Sequence, residues 1–183
     1  MWQIFGFVLG SLIIIYISRA SLRSPGSHGF YRFFAWEGIL ALLLLNMPYW
    51  FRNPFAWNQL IAWFLLVVSL IPPGFGVHSL RTRGRPAQQR AGDPSLLAFE
   101  KTTTLVTTGI YKYIRHPLYS SLLLLTWGIF FKLPSLPGIA LAAVSTTFLF
   151  ATAQADEAEC TKFFGPQYQE YMKHSKRFIP YML

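Results

Sequence analysis

The chain has 183 residues, of which 53% are apolar and only 13% are charged, about half the roughly 25% that is usual in soluble domains. This composition indicates an integral membrane protein and excludes an ordinary soluble enzyme, and the length favours one compact bundle. The net charge of +9 is compatible with an anionic partner. Cys160 is the only cysteine, so neither a disulfide within the chain nor a thiolate metal cluster can form, and no metal site is predicted.

Five hydrophobic runs are candidate membrane spans. They cover residues 2–18, 33–51, 60–80, 118–131 and 136–155. The first run could instead be a cleaved signal peptide, but it lacks a basic start and a clean cleavage site. The fourth is short for a span of about 20 residues, although its helix can extend back toward Pro117. The sequence therefore predicts an all-α integral membrane protein with five transmembrane helices, forming a single domain over residues 1–183.

The basic residues are distributed unevenly between the connections. The first connection, the third connection and the C-terminal tail contain three, seven and four Lys or Arg residues, which is 14 of the 16 in the chain. By the positive-inside tendency this face is cytoplasmic and the N-terminus lies outside. The segment from Arg81 to Ala98 is basic and lacks periodicity, so we expect a surface loop over anionic lipid headgroups. Only Phe99 near its end offers a stacking ring, which argues against nucleic-acid binding.

Two features interrupt the apolar runs. Glu37 lies about one helical turn inside the second run, and a carboxylate at this depth is either functional or paired with a base such as Arg32. The third run contains Pro72 and Pro73, which cannot continue a regular helix. The helix must break or kink there, and the break either borders a pocket or marks the end of the helix at the interface.

The polar stretch from Thr107 to Tyr119 is the best candidate for the active site. Pro117 suits the first turn of a helix and leaves Arg115 and His116 just outside its start. Free N–H groups and positive charge at that point favour a carboxylate or phosphate ligand. Ring faces that could hold an aromatic base or a sulfonium come from Tyr111, Tyr113 and Tyr119. The alternative is that these residues only anchor the chain at the membrane interface.

A second polar cluster follows the fifth run and contains Gln154, Asp156, Glu157 and Glu159. The turn over residues 132–138 is short, so spans four and five are predicted to form a helical hairpin that returns both clusters to one membrane face. Adjacent helical positions point about 100° apart. We therefore expect one of Asp156 and Glu157 to face the pocket and the other to face water.

The remainder of the chain, residues 156–183, is predicted to form a cytoplasmic cap. Gly165 and Pro166 end one helix and start another. In this second helix Tyr168 and Tyr171 would lie on the bundle while charged residues face solvent.

Together these motifs resemble the isoprenylcysteine carboxyl methyltransferase and phospholipid methyltransferase superfamily. The first reads Gly-Ile-Tyr-Lys-Tyr-Ile-Arg-His-Pro-Leu-Tyr over residues 109–119. It is followed by the pair Asp156-Glu157, by Phe-Gly-Pro-Gln-Tyr at 164–168 and by Arg-Phe-Ile-Pro at 177–180. The resemblance implies an integral membrane enzyme that uses S-adenosylmethionine from the cytoplasmic side and methylates a lipophilic acceptor entering laterally from the bilayer.

The resemblance also implies roles for individual residues. Catalytic roles fall to Arg115 and Glu157. The family's acidic pair usually reads Glu-Glu where this chain has Asp156-Glu157, so the role is carried onto Glu157 rather than Asp156. The residues expected to bind the cofactor are Tyr111, Arg115, His116, Pro117, Tyr119, Glu157 and Tyr168.

Methyl transfer is an in-line displacement, so the protein mainly has to position two reactants and exclude water. A carboxylate acceptor would need only an Arg to orient it, whereas an amine acceptor would need a base such as Glu157 or His116. The sequence leaves both open. Two alternative functions remain, an NADPH-dependent sterol or steroid reductase with a similar C-terminal pattern and a non-catalytic membrane protein on the same scaffold.

Overall fold

The computed structural model describes residues 2–84, 96–97 and 100–181. Within these ranges the chain forms seven α-helices and three short 3₁₀ helices, so the predicted all-α class is confirmed. The α-helices are α1 (Trp2–Ser18), α2 (His28–Asn46), α3 (Trp57–Ser69), α4 (Ile71–Arg83), α5 (Pro117–Phe130), α6 (Leu136–Phe164) and α7 (Pro166–His174). Most of the predicted basic loop between Arg81 and Ala98 lies outside the described residues.

Three helical stretches are long and apolar enough to cross a membrane. They are His28–Tyr49, Trp57–Arg83 and Leu136–Phe164. The helices α1 and α5 are also apolar but shorter, with 17 and 14 residues against the roughly 20 that a span requires. These findings support an integral membrane protein. The arrangement of five spans with an outside N-terminus remains a prediction.

The start of α2 and the end of α6 lie outside the predicted hydrophobic spans. α2 begins at His28 rather than at residue 33, because the hydroxyl of Ser27 accepts a hydrogen bond from the backbone N–H of Phe30 at 3.2 Å. α6 continues past residue 155, where the predicted span ends, to Phe164, and Gly165 terminates it with a φ of 60°. The helix break predicted at Gly165 and Pro166 is confirmed. The acidic cluster is consequently part of a rigid helix rather than of the segment that follows it.

The break predicted in the third hydrophobic run is confirmed. Leu70 separates α3 from α4, and both prolines lie in the first turn of α4, where a missing N–H costs little. The two helices still form one candidate span, Trp57–Arg83.

Small residues allow the helices to approach closely. Gly38 of α2 lies against α6 so tightly that a methyl group in its place would collide with the hydroxyl of Ser145. Gly128 of α5 similarly lies against Leu66 of α3. Inside a bilayer, where helices gain little from the hydrophobic effect, such close van der Waals packing is a main source of association. These contacts pack α6 against α2 and α5 against α3.

The turn between α5 and α6 is fixed by buried polar contacts. Lys132 is only 1% exposed, and its ammonium donates to Gln59 Oε1 at 3.0 Å and lies 3.5 Å from the centre of the Trp63 ring. Asn46 Nδ2 donates to the carbonyl of Ile129 at 2.8 Å. These contacts hold one end of the hairpin, and the polar clusters lie at the other.

Candidate active site

The hairpin of α5 and α6 brings the two polar clusters together, as predicted. Arg115 Nε donates to Glu157 Oε1 at 2.9 Å, and His116 Nε2 lies 3.3 Å from the same oxygen. His116 occupies the position before the first helical residue, Pro117, with a φ of −123° and a ψ of 63°. Its ring is thereby presented outside α5 and toward α6.

The C-terminal tail encloses this cluster from a third side. The backbone N–H of Arg115 donates to the carbonyl of Lys176 at 2.7 Å, and the backbone N–H of His116 donates to the carbonyl of Arg177 at 3.1 Å. The guanidinium of Arg177 then donates to both oxygens of Glu157, at 2.6 and 3.1 Å. Two guanidiniums and an imidazole therefore surround a single carboxylate.

Asp156, like Glu157, is enclosed by neighbouring side chains. Its Oδ2 accepts a hydrogen bond from the hydroxyl of Tyr119 at 3.1 Å and lies 3.4 Å from His116 Nδ1. Its Oδ1 accepts from Cys160 Sγ at 3.4 Å. The side chains of Asp156 and Glu157 are 21% and 11% exposed, so the prediction that one of them faces water is wrong. The reason is that α5 covers one side of α6 while the tail covers the other.

A cavity opens beside Asp156, and we call it the polar cavity. Its volume is about 100 Å³, and about 690 Å³ when the open space at its mouth is counted. Six of the seven predicted cofactor-binding residues line it, namely Tyr111, Arg115, His116, Pro117, Tyr119 and Tyr168. The seventh, Glu157, is engaged by the guanidiniums of Arg115 and Arg177 instead.

The charge state of the cavity wall follows from these contacts. Burial, the largest influence, lowers the pKa of His116, but hydrogen bonds to Asp156 and Glu157 outweigh it, so that the pKa is raised above 6.5. Burial also raises the pKa of Tyr111 and Tyr168, which therefore remain neutral phenols. Among the described residues the contacts of Arg115 use Nε and Nη1, which leaves Nη2 for a ligand.

Sequence reasoning missed several residues of the polar cavity. Glu100 lines it from the segment that precedes the first motif, where no periodic pattern indicated its position. Cys160 follows Asp156 by one helical turn, so its place could have been inferred once the helix was known to continue. Tyr171 lines the cavity and donates its hydroxyl to the carbonyl of Tyr111 at 2.6 Å.

The proposed pairing of Glu37 with Arg32 is wrong. Arg32 instead donates to Glu100 at 3.0 and 3.2 Å, because the segment containing Glu100 folds back onto the start of α2. Glu37 accepts a hydrogen bond from Ser11 of α1 at 2.5 Å. This contact gives it a structural partner away from the polar cavity.

Glu159 links α6 to the start of α2. The backbone N–H of His28 donates to Glu159 Oε1 at 2.8 Å, and His28 Nδ1 is hydrogen-bonded to the other carboxylate oxygen. A carboxylate is favourable at a helix N-terminus, where backbone N–H groups lack partners. Ligating atoms of His28, Asp156 and Glu159 lie within 4.8 Å of one another.

A second cavity, which we call the apolar cavity, lies on the other side of the segment 114–120. Its volume is about 610 Å³, and about 1340 Å³ when the open space at its mouth is counted. Pro72 lines it, so the helix break borders a pocket. The other side chains lining it are nearly all apolar and include Leu65, Ile114, Leu123, Trp127, Phe150 and Phe178.

Comparison with known proteins gives partial matches. Residues 93–167 match the family model described as phospholipid methyltransferase. The chain is 26% identical over 76 residues to a methanethiol S-methyltransferase of Crocosphaera subtropica, covering 42% of this chain and 29% of that protein. It is 33% identical over 84 residues to protein-S-isoprenylcysteine O-methyltransferase B of Arabidopsis thaliana, covering 45% of this chain and 43% of that protein.

The matches thus span less than half the length of these relatives. No solved structure matches the chain. The relatives are named as methyltransferases that act on different acceptors. The region matched by the family model contains the hairpin and both polar clusters. The superfamily of isoprenylcysteine and phospholipid methyltransferases, recognised above from the motifs, is therefore confirmed as the one that this chain resembles.

Proposed function

We propose that this protein is an S-adenosylmethionine-dependent methyltransferase that modifies a lipophilic acceptor at the membrane face predicted to be cytoplasmic. The observation that carries the proposal is the polar cavity, where Arg115, His116 and Asp156 converge from the ends of α5 and α6 next to the apolar cavity. The names of the relatives support the same chemistry.

The polar cavity has groups complementary to each part of the cofactor. Arg115 can bind a carboxylate through Nη2, and Asp156 can bind an ammonium. The rings of Tyr119 and Tyr168 offer faces to an adenine or a sulfonium. When bound, S-adenosylmethionine would supply an electrophilic methyl group.

Within this proposal Glu157 is a positioning residue rather than a group that touches the cofactor. Its carboxylate fixes the guanidiniums of Arg115 and Arg177 and one nitrogen of His116. Tyr119 similarly fixes Asp156 by donating its hydroxyl. Rigid placement of reacting groups and exclusion of water are the main contributions that a protein makes to a displacement of this kind.

The contacts favour an acceptor that reaches the site as an anion. Both bases considered from the sequence are already occupied, since His116 contacts Asp156 and Glu157 through its two ring nitrogens and Glu157 is paired with two guanidiniums. An amine acceptor would require one of them to take up a proton. A carboxylate requires no proton removal during transfer, so we propose a carboxylate acceptor with an apolar chain in the apolar cavity.

Calorimetry on the purified full-length protein tests the cofactor. We expect binding of S-adenosylmethionine or S-adenosylhomocysteine and no comparable binding of NADPH. Preferential binding of NADPH would instead support the reductase, and binding of neither would support a non-catalytic scaffold.

Labelled methyl donor then tests the acceptor. We expect the label to reach the carboxylate of a prenylated cysteine, and not phosphatidylethanolamine. The variant Glu170→Gln is a control that should label the same acceptor as the wild type, since Glu170 is an exposed acid of α7 outside both cavities. Efficient labelling of phosphatidylethanolamine would contradict the argument for an anionic acceptor while leaving the cofactor proposal intact.

A further inference from the structure

The polar and apolar cavities share a wall. Consecutive residues of the segment 114–120 face different cavities, since Arg115 and Tyr119 line the polar cavity whereas Ile114 and Ser120 line the apolar cavity. A donor in one cavity and an acceptor in the other would therefore be separated by protein.

Two buried rings face each other across this wall. His116 lines the polar cavity and is 5% exposed, and Phe178 lines the apolar cavity and is 3% exposed. Their ring centres are 6.2 Å apart. Reacting atoms in a displacement must approach to roughly 3–3.5 Å, so the wall has to open for transfer to occur.

The two rings differ in how firmly they are held. His116 has a carboxylate at each nitrogen and stacks on Tyr119 with ring centres 5.3 Å apart. The ring of Phe178 has apolar neighbours, including Phe150 with ring centres 4.8 Å apart. Apolar contacts are non-directional, and a large cavity adjoins the Phe178 ring, so this side chain can change rotamer at lower cost.

The backbone at Phe178 is held by hydrogen bonds, whereas its ring makes only packing contacts. The hydroxyl of Ser120 donates to the carbonyl of Phe178 at 2.8 Å, and the preceding residue, Arg177, is paired with Glu157. Movement at this point is therefore confined to the side chain, as a gate requires.

Building on the proposed function, we propose that Phe178 is a specificity-determining gate between the polar and apolar cavities. Rotation of its ring into the apolar cavity opens a passage beside His116 for the acceptor's reacting group. The width of that passage, rather than the length of the apolar chain, then limits which acceptors are methylated.

Cys160 provides a test that does not depend on catalysis. It is the only cysteine of the chain and lines the polar cavity. In phosphatidylcholine nanodiscs, N-dodecylmaleimide partitions into the bilayer, whereas a small hydrophilic maleimide enters from water. We expect Phe178→Ala to accelerate modification by the dodecyl reagent about tenfold relative to the hydrophilic one, which corresponds to a barrier lowered by about 1.4 kcal/mol. Phe178→Trp should slow it.

Leu65→Ala is the matched control, because Leu65 lines the apolar cavity from α3. Enlarging the cavity at Leu65 should leave the ratio of the two maleimide rates near that of the wild type. An unchanged ratio in Phe178→Ala, or an equal rise in Leu65→Ala, would overturn the gate. Phe178→Leu replaces Phe178→Ala if the alanine variant does not fold.

Kinetics with acceptors of increasing headgroup size give a second readout. Phe178→Ala should raise kcat/KM for acceptors with bulky headgroups relative to acceptors with small ones, whereas a purely structural defect would lower all values together. Calorimetry with S-adenosylhomocysteine separates this proposal from the proposed function. If Phe178→Ala binds S-adenosylhomocysteine as the wild type does and shows the same acceptor selectivity, only the gate is excluded. If the wild-type protein itself does not bind S-adenosylhomocysteine, the methyltransferase is excluded.

Discussion

Arg177 donates two hydrogen bonds, of 2.6 and 3.1 Å, to the carboxylate of Glu157 and so fastens the C-terminal tail to α6. Because the tail in turn pairs with the backbone of Arg115 and His116, this ion pair supports the whole polar cavity. The acidic residue that the family resemblance indicated as catalytic is thereby the centre of a structural cluster.

Glu157→Gln is expected to destabilise the protein. It leaves two guanidiniums without a counter-charge in a largely buried cluster, and breaking a buried pair costs about 3 kcal/mol or more. The thermal unfolding midpoint in detergent should fall clearly. Glu170→Gln removes a carboxylate that is 60% exposed and paired with Lys173, so it should change the midpoint little. Equal midpoints for both variants would contradict the assignment.

Asp156→Asn is expected to weaken binding of S-adenosylhomocysteine about tenfold, as loss of one charge-assisted contact implies. Tyr119→Phe should weaken it less, because the carboxylate remains in the polar cavity while only its orienting hydrogen bond is lost. Calorimetry on both variants measures the difference. Near-normal affinity in Asp156→Asn would mean that the cofactor's ammonium binds elsewhere.

The raised pKa of His116 predicts a pH-dependent stability. The folded protein binds this proton more tightly than the unfolded chain, since Asp156 and Glu157 face the ring. The contribution is fully present below pH 6.5 and is lost as the pH rises through the raised pKa. The unfolding midpoint of the wild type should therefore fall more steeply above pH 6.5 than that of His116→Gln. Parallel curves for the two proteins would refute the charged assignment.

A double-mutant cycle tests the packing of α2 on α6. Gly38→Ala should cost about 1–3 kcal/mol, because the added methyl group collides with the hydroxyl of Ser145. Removing that hydroxyl in the double variant with Ser145→Ala should restore most of the loss. Gly74→Ala is the control, since space surrounds Gly74 and alanine favours its helix. Additive losses at Gly38 and Ser145 would show that another contact is limiting.

Cysteine labelling tests the predicted topology. In a Cys160→Ala background, a cysteine at Arg52 should react with an impermeant thiol reagent in intact cells, whereas one at Arg90 should not. The expectation follows from the concentration of 14 of the 16 basic residues on one face. The reverse pattern would invert the topology and place the polar cavity on the side opposite the cytoplasm.

Local patterns were sufficient to predict the helices that carry the site. The proline at position 117 marks the start of α5, and the short turn around Lys132 implies a hairpin, so Arg115 and Glu157 could be predicted to meet. These inferences succeeded because helix periodicity, capping and short connections act over a few residues. The same reasoning failed where a partner came from a distant segment, as it did for Arg32 and Glu100.

The amino-acid sequence by itself determined the all-α class, the apolar helices, the two polar clusters and the superfamily that the chain resembles. Only the tertiary structure decided that Asp156 faces the polar cavity while Glu157 holds Arg115 and Arg177. Two adjacent acids on one helix differ in direction by about 100°, but the sequence does not say which neighbours lie in each direction. That depends on how α5 and the tail pack around α6, and packing is settled by contacts between residues far apart in the chain.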